Sequence, residues 1–204
     1  FMSKESLLEF WRRSGFVTDK NLIEAFKKVE RKNFVLPKDK DRAYEDIALS
    51  INYNSTISQP TTIMIMLQAL DIKENQKTLE VGTGSGYTAA LMSNMIGDKG
   101  RIYSLDIVPE LIKFAENNLA GEKIKNVKLF CKDGSRGLKK FSPYDRILVN
   151  AAPREIPEEL IKQLKLNGIL VAPIGPEYSQ KMIKFTKLKN KLKEEYLGDF
   201  VFVR

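Results

Sequence analysis

Three glycines at alternate positions, Gly82, Gly84 and Gly86, follow the apolar strand pattern Lys77-Thr-Leu-Glu-Val81 and precede a helix-forming run from Tyr87. Glycine permits positive φ and lets backbone come within contact distance of a ligand, so a strand turning through such a loop into a helix suggests a built approach surface for a nucleotide-like cofactor. The register Gly84-Ser-Gly86-Tyr-Thr-Ala89 also satisfies the dinucleotide pattern G-x-G-x-x-G/A, so the loop alone leaves the ligand open.

Glu80, two residues ahead of Gly82, favours S-adenosylmethionine. That cofactor has no phosphate and carries a sulfonium and an ammonium; an acidic loop mouth attracts it and repels a pyrophosphate. Such a site also needs a carboxylate for the ribose hydroxyls. Asp106 closes the next apolar strand, Arg101-Ile-Tyr-Ser-Leu-Asp106, about twenty residues after the glycines, where that group belongs in either kind of nucleotide fold.

The rest of the chain alternates in the same sense. Strands are predicted at 78–81, 101–106, 127–131, 145–150 and 168–174, and helices near 87–96, 109–119 and 156–165, after a helix from Pro60 to about Leu70. This βαβ order predicts an α/β fold, a mostly parallel sheet with helices on both faces and a ligand at the carboxyl ends of the strands. The glycine loop, Asp106, Asp133 and Asn150 all fall at those ends. Residues 180–187 and 196–203 read as a closing strand pair joined by a lysine-rich turn. Ahead of this core, residues 3–13 and 19–30 read as helices capped by Ser3 and Asp19, followed by an irregular stretch. The expected organisation is one domain over 1–204, with a helical and loop cap at 1–59 and a cofactor-binding core at 60–204.

Composition supports one domain: 204 residues at 43% hydrophobic content suffice for a single well-packed core, with little room for a separate substrate domain. The chain has no histidine, which excludes His-based acid/base chemistry, catalytic triads and most zinc sites, so no metal centre is expected. The single cysteine, Cys131, ends a strand pattern and is expected to be a packed, inert thiol in a reducing compartment. No secretory h-region and no apolar run approaching membrane length occurs, so a soluble, cytoplasmic protein without membrane contact is expected. The net charge of +8 permits nucleic acid as a partner without favouring it; lysines 181, 184, 187, 189, 191 and 193 read first as a solvated hairpin edge.

Read in order, Thr56-Ile-Ser-Gln-Pro60, Leu79-Glu-Val-Gly-Thr-Gly-Ser-Gly-Tyr87, Asp133-Gly-x-x-Gly137, Pro143-Tyr-Asp-Arg-Ile147, Ala151-Ala-Pro-Arg-Glu-Ile-Pro157, Gln163-Leu-Lys-Leu-Asn-Gly168 and Val171-Ala-Pro-Ile-Gly175 resemble the protein-L-isoaspartate O-methyltransferases. The likeness covers most of the chain and is most specific in the Thr-Ile-Ser-Gln-Pro segment. It implies a Rossmann-like methyltransferase fold and methyl transfer from S-adenosylmethionine, leaving S-adenosylhomocysteine, to the free carboxylate of L-isoaspartyl residues in damaged proteins and peptides. It also implies Ser58 as the active-site serine, with Ile57 and Gln59 on the cofactor and substrate side. Glu80, Gly82, Gly84, Ser85 and Gly86 would hold the methionine end, Asp106 the ribose, and Asp133 with Gly134 the adenine.

The chemistry agrees with the residue inventory: a carboxylate is ionised at neutral pH, so its attack on a sulfonium methyl needs alignment and exclusion of water but no general base. Apart from the resemblance, Ser58 ahead of Pro60 also fits a helix cap. Where the family usually carries Pro-Ile-Gly-x-Gly-Gln before Thr-Ile-Ser, this chain has Ser50-Ile-Asn-Tyr-Asn-Ser55. That change and the basic charge keep open a related methyltransferase acting on RNA or another protein group. A cofactor-binding module with little activity, or a dinucleotide binder, is a third reading.

Overall fold

The computed structural model describes residues 2–176 and 179–202. Among these, the chain folds as α1 (Lys4–Ser14), α2 (Lys20–Lys28), β1 (Leu49–Ser50), β2 (Thr56–Ile57), α3 (Pro60–Leu70), β3 (Lys77–Val81), α4 (Tyr87–Ile96), β4 (Arg101–Asp106), α5 (Pro109–Gly121), β5 (Val127–Cys131), β6 (Tyr144–Val149), α6 (Glu158–Gln163), β7 (Leu164–Ile174), β8 (Gln180–Lys187) and β9 (Leu192–Phe200). The main sheet runs β5-β4-β3-β6-β7-β8-β9; β5 through β7 are parallel, and β8 and β9 add antiparallel. Strand order reverses between β3 and β6, which opens a crevice at their carboxyl ends.

Alternation along the strands separates two cores. Ile102, Leu148, Ile169 and Val171 face a cluster with α3, α4 and α5, whereas Leu79, Tyr103, Leu105, Ile147 and Val149 face Leu160 of α6 and Leu138. The cap belongs to the first cluster. Leu7, Trp11, Leu22 and Phe26 bury into it along with the sheet residues, so cap and core share one continuous interior. Ser3 and Asp19 cap α1 and α2 through their side chains, as their positions predict. Trp11 stacks edge-on against Phe26 at 4.7 Å, and its indole N–H donates to Thr61 Oγ1 at 2.7 Å.

Two predicted boundaries move. Helix α6 stops at Gln163 because Leu164 turns extended and buries itself under the sheet opposite Tyr144, adding a start to β7 ahead of the expected residue 168. Strand β9 begins at Leu192, before the expected 196; its Lys and Glu residues lie on an exposed edge without apolar alternation, which hides the strand from sequence. The predicted end at Val203 lies outside the described residues. Lys184 and Lys193 both approach Glu195, and Lys187 Nζ donates to the carbonyls of Ile161 and Leu164 at 2.8 and 2.7 Å, closing the end of α6. Those lysines are partnered within the fold.

Cys131 departs from its expected packing. It is exposed, with Sγ 3.7 Å from the Ile107 carbonyl, because β5 is the outer strand of the sheet and its end is left uncovered. Among the described residues no helix is long and apolar enough to cross a membrane, and no cluster of potential metal ligands occurs.

Candidate active site

The glycine loop leaves β3 with φ of +90° at Gly82, +52° at Gly84 and +83° at Gly86, a left-handed conformation at each alternate residue. Four of its five amides bond within the protein itself. Gly82 and Thr83 N–H donate to the Leu105 carbonyl at 2.8 and 3.1 Å, Gly86 N–H to the Thr83 carbonyl at 2.9 Å, and Gly84 N–H to Asp106 Oδ2 at 2.9 Å. A pyrophosphate would meet the Asp106 carboxylate where it would seek the Gly84 amide, so the loop favours a ligand without phosphate. The geometry tips the ambiguous glycine pattern toward the sulfonium donor.

Asp106 uses one lone pair on each oxygen to fix its surroundings, with Oδ1 accepting from Val108 N–H at 3.1 Å. Its remaining lone pairs can accept from vicinal hydroxyls at the cavity. Asp133, exposed, accepts from Ser135 N–H at 2.9 Å, and that bond lowers its pKa. Gly134 packs against Val81, so any side chain there would run into the end of β3.

Glu80 lies elsewhere than the sequence suggests. It is fully buried beneath the loop, not at its mouth; Oε2 meets Ser104 Oγ at 2.5 Å and Oε1 accepts from Asn150 Nδ2 at 3.0 Å. Asn150 also donates to the Gly82 carbonyl at 3.1 Å, so Glu80 acts on the loop through Asn150. Burial raises its pKa to about 8. Its folded value exceeds the ordinary 4.5, so the unfolded chain releases this proton first, and stability falls as pH rises from 4.5 to 8. Glu80→Gln should therefore gain thermal stability over the parent as pH rises through that window. Unfolding temperatures compared at pH 5 and pH 8 check this; a constant gap would mean that Glu80 is ionised in the fold.

Opposite the loop, the hairpin of β1 and β2 carries the segment 56–60. Ser58 is half-buried with no described partner for its hydroxyl, and its carbonyl accepts from buried Arg31 at 2.9 Å. It does not cap α3: the cap position is Gln59, which makes no side-chain cap bond. Gln59 turns away from the cavity, donating to Asp46 Oδ2 at 3.0 Å, and Asp46 in turn receives the Thr61 hydroxyl at 2.7 Å and its N–H at 2.9 Å. Through Thr61 this network reaches Trp11 of the cap, which locks the segment bearing Ser58 to the start of α3.

Loop and segment face each other across a cavity of about 590 Å³, within the range of small-molecule sites. Of the sequence candidates, Ile57, Ser58, Gly82, Gly84, Ser85, Asp106, Asp133 and Gly134 line it; Glu80, Gly86 and Gln59 stand behind it. Gly86 instead lets α5 pack close, since a Cβ there would lie 3.2 Å from Ala115 Cβ. Sequence reasoning missed Ile107, Ala151, Arg154 and Leu160, which line the walls. Ile107, 69% exposed just after Asp106, offers an apolar face beside that carboxylate, and its position after the acidic strand end was the available signal. The inventory of apolar walls, a carboxylate with free lone pairs and a rim ill-suited to phosphate fits an adenosyl sulfonium.

Comparison with known proteins agrees with this geometry. A curated protein-L-isoaspartate O-methyltransferase of Thermosipho melanesiensis is 40% identical over 197 residues, covering 97% of this chain and 98% of its own. A solved protein-L-isoaspartate O-methyltransferase superposes with a TM-score of 0.87 at 30% identity, covering 98% of this chain, which spans 65% of that longer protein. A Plasmodium falciparum protein described as a beta-aspartate methyltransferase, crystallised with S-adenosyl-L-homocysteine, superposes with a TM-score of 0.86 at 28% identity, covering 98% of this chain and 96% of its own. The sequence model of the protein-L-isoaspartate(D-aspartate) O-methyltransferases matches residues 2–204. With the rim, the carboxylate and the serine segment all disposed for a sulfonium donor, the chain belongs to that family.

Proposed function

We propose that this protein transfers a methyl group from S-adenosylmethionine to the free α-carboxylate of L-isoaspartyl residues in damaged proteins and peptides. The observation that carries this reading is the match to the isoaspartyl methyltransferase family over 2–204, joined to a cavity that sets Ser58 opposite the glycine loop. The sulfonium donor supplies an electrophilic methyl when bound. Gly82 to Ser85 would hold its methionine end, Asp106 would accept from the ribose hydroxyls, and Asp133 with Gly134 and Ile107 would bound the adenine. Ser58, whose hydroxyl is uncommitted, would orient the incoming carboxylate. The carboxylate brings its own negative charge, so the residues need only align it and exclude water.

Methyl transfer from radiolabelled donor to an isoaspartyl peptide, to its normal aspartyl twin and to bulk tRNA tests the reading. Label only in the isoaspartyl peptide is expected; equal labelling of the aspartyl twin, or labelling of tRNA alone, would overturn it. Ser58→Ala should slow turnover about tenfold, the loss of one orienting hydrogen bond in the transition state, while S-adenosylhomocysteine affinity stays within severalfold. An unchanged turnover would remove Ser58 from the mechanism.

A further inference from the structure

Arg31 is fully buried, yet no carboxylate lies within ion-pair distance of it among the described residues. Its Nε donates to the Ala43 carbonyl at 2.7 Å, one terminal nitrogen donates to the Ser58 carbonyl at 2.9 Å, and the guanidinium lies 5.2 Å from the centre of the Tyr87 ring. Among the described residues the other terminal nitrogen has no hydrogen-bond partner, and neither has the buried Tyr87 hydroxyl. Asp46 acts on Arg31 only through space, and burial lowers its pKa to about 10, which leaves it charged at neutral pH. Two carbonyls and a ring face offset only part of the cost of burying a guanidinium. An apolar side chain of similar volume would avoid that cost altogether. A charge retained with no carboxylate in contact points to an anion supplied from outside.

Two consequences follow from this position. In a trans peptide the carbonyl and the following N–H point to opposite sides, so drawing the Ser58 carbonyl onto Arg31 turns the Gln59 N–H away from it. That N–H donates to no group among the described residues. The low-dielectric interior also leaves the positive charge unscreened behind Ser58.

We propose that Arg31 is a positioning residue for the methyl acceptor, holding Ser58 by its carbonyl and lending positive charge, only partly offset by distant Asp46, to the end of the cavity that takes the acceptor carboxylate. The inference rests on the isoaspartyl reading above and adds the group that anchors the carboxylate side of the site.

Steady-state kinetics with an isoaspartyl peptide, alongside titration with S-adenosylhomocysteine, tests it in R31Q and R31K. R31Q should raise the peptide KM about tenfold with S-adenosylhomocysteine affinity within twofold, and R31K should recover most of that loss. A parallel loss of S-adenosylhomocysteine affinity, or an R31K variant as impaired as R31Q, would show a tie that merely holds the fold and would overturn the inference while leaving the functional reading intact. Should R31Q fail to fold, R31M, whose apolar side chain avoids the burial cost, decides: the peptide KM should rise about tenfold with S-adenosylhomocysteine affinity within twofold, and an unchanged peptide KM overturns the proposal. A wild-type protein that leaves the isoaspartyl peptide unmethylated would overturn the functional reading and this inference with it.

Discussion

Replacing Gly82 by valine should abolish S-adenosylhomocysteine binding, with at least about a hundredfold loss in calorimetric affinity. The residue sits at φ +90°, where a side chain is strained, and a Cβ would stand 3.2 Å from Asn150 Cβ and 3.4 Å from the Asn150 carbonyl carbon. A left-handed conformation costs an L-residue roughly 1–2 kcal/mol before any clash, and a branched side chain more. To make room Asn150 must move, and Asn150 ties the Gly82 carbonyl to Glu80. The rim would then lose its shape and its support together. Normal binding by a folded Gly82→Val protein would show that the loop is only a turn.

Asp106→Ala should weaken S-adenosylhomocysteine binding by about 1–3 kcal/mol, a roughly five- to 150-fold loss. Part of that loss comes from the ribose hydroxyls, whose charged acceptor disappears. The remainder comes from the protein, because Gly84 N–H and Val108 N–H lose the oxygens they bond at 2.9 and 3.1 Å. Asp106→Asn separates the two contributions, since a carboxamide keeps one acceptor oxygen without the charge. Its affinity should fall between those of the parent and the alanine variant, and an alanine variant that binds like the parent would move the ribose site elsewhere.

The parallel core was legible because its signals are local. Strands β3 to β6 carry short apolar runs with glycine, aspartate or asparagine at their ends, and the structure brings Gly82, Gly84, Asp106 and Asp133 to one cavity from those ends. What the sequence hid was orientation. Glu80 and Gln59 have the right chemistry and adjacent numbers, but each points into a hydrogen-bond network behind the wall, since successive side chains on extended backbone face opposite ways. Cys131 was misread for a related reason: strand pattern does not reveal that β5 lies at the edge of the sheet. Ile107 carries no motif, and Arg154 sits in the Ala151–Pro157 signature without an assigned role; both become wall residues through the topology that folds the ends of β4 and β6 around the crevice.

The self-satisfied wiring of the glycine loop has a thermodynamic corollary. With Gly82, Thr83, Gly84 and Gly86 already bonded to their own neighbours, a visiting nucleoside need not organise the rim, and little conformational entropy is forfeited on its arrival. Selectivity between fresh and spent cofactor then falls to the transferable methyl and its charge, the only features by which the two differ. An enzyme so arranged takes up donor and product alike at little ordering cost.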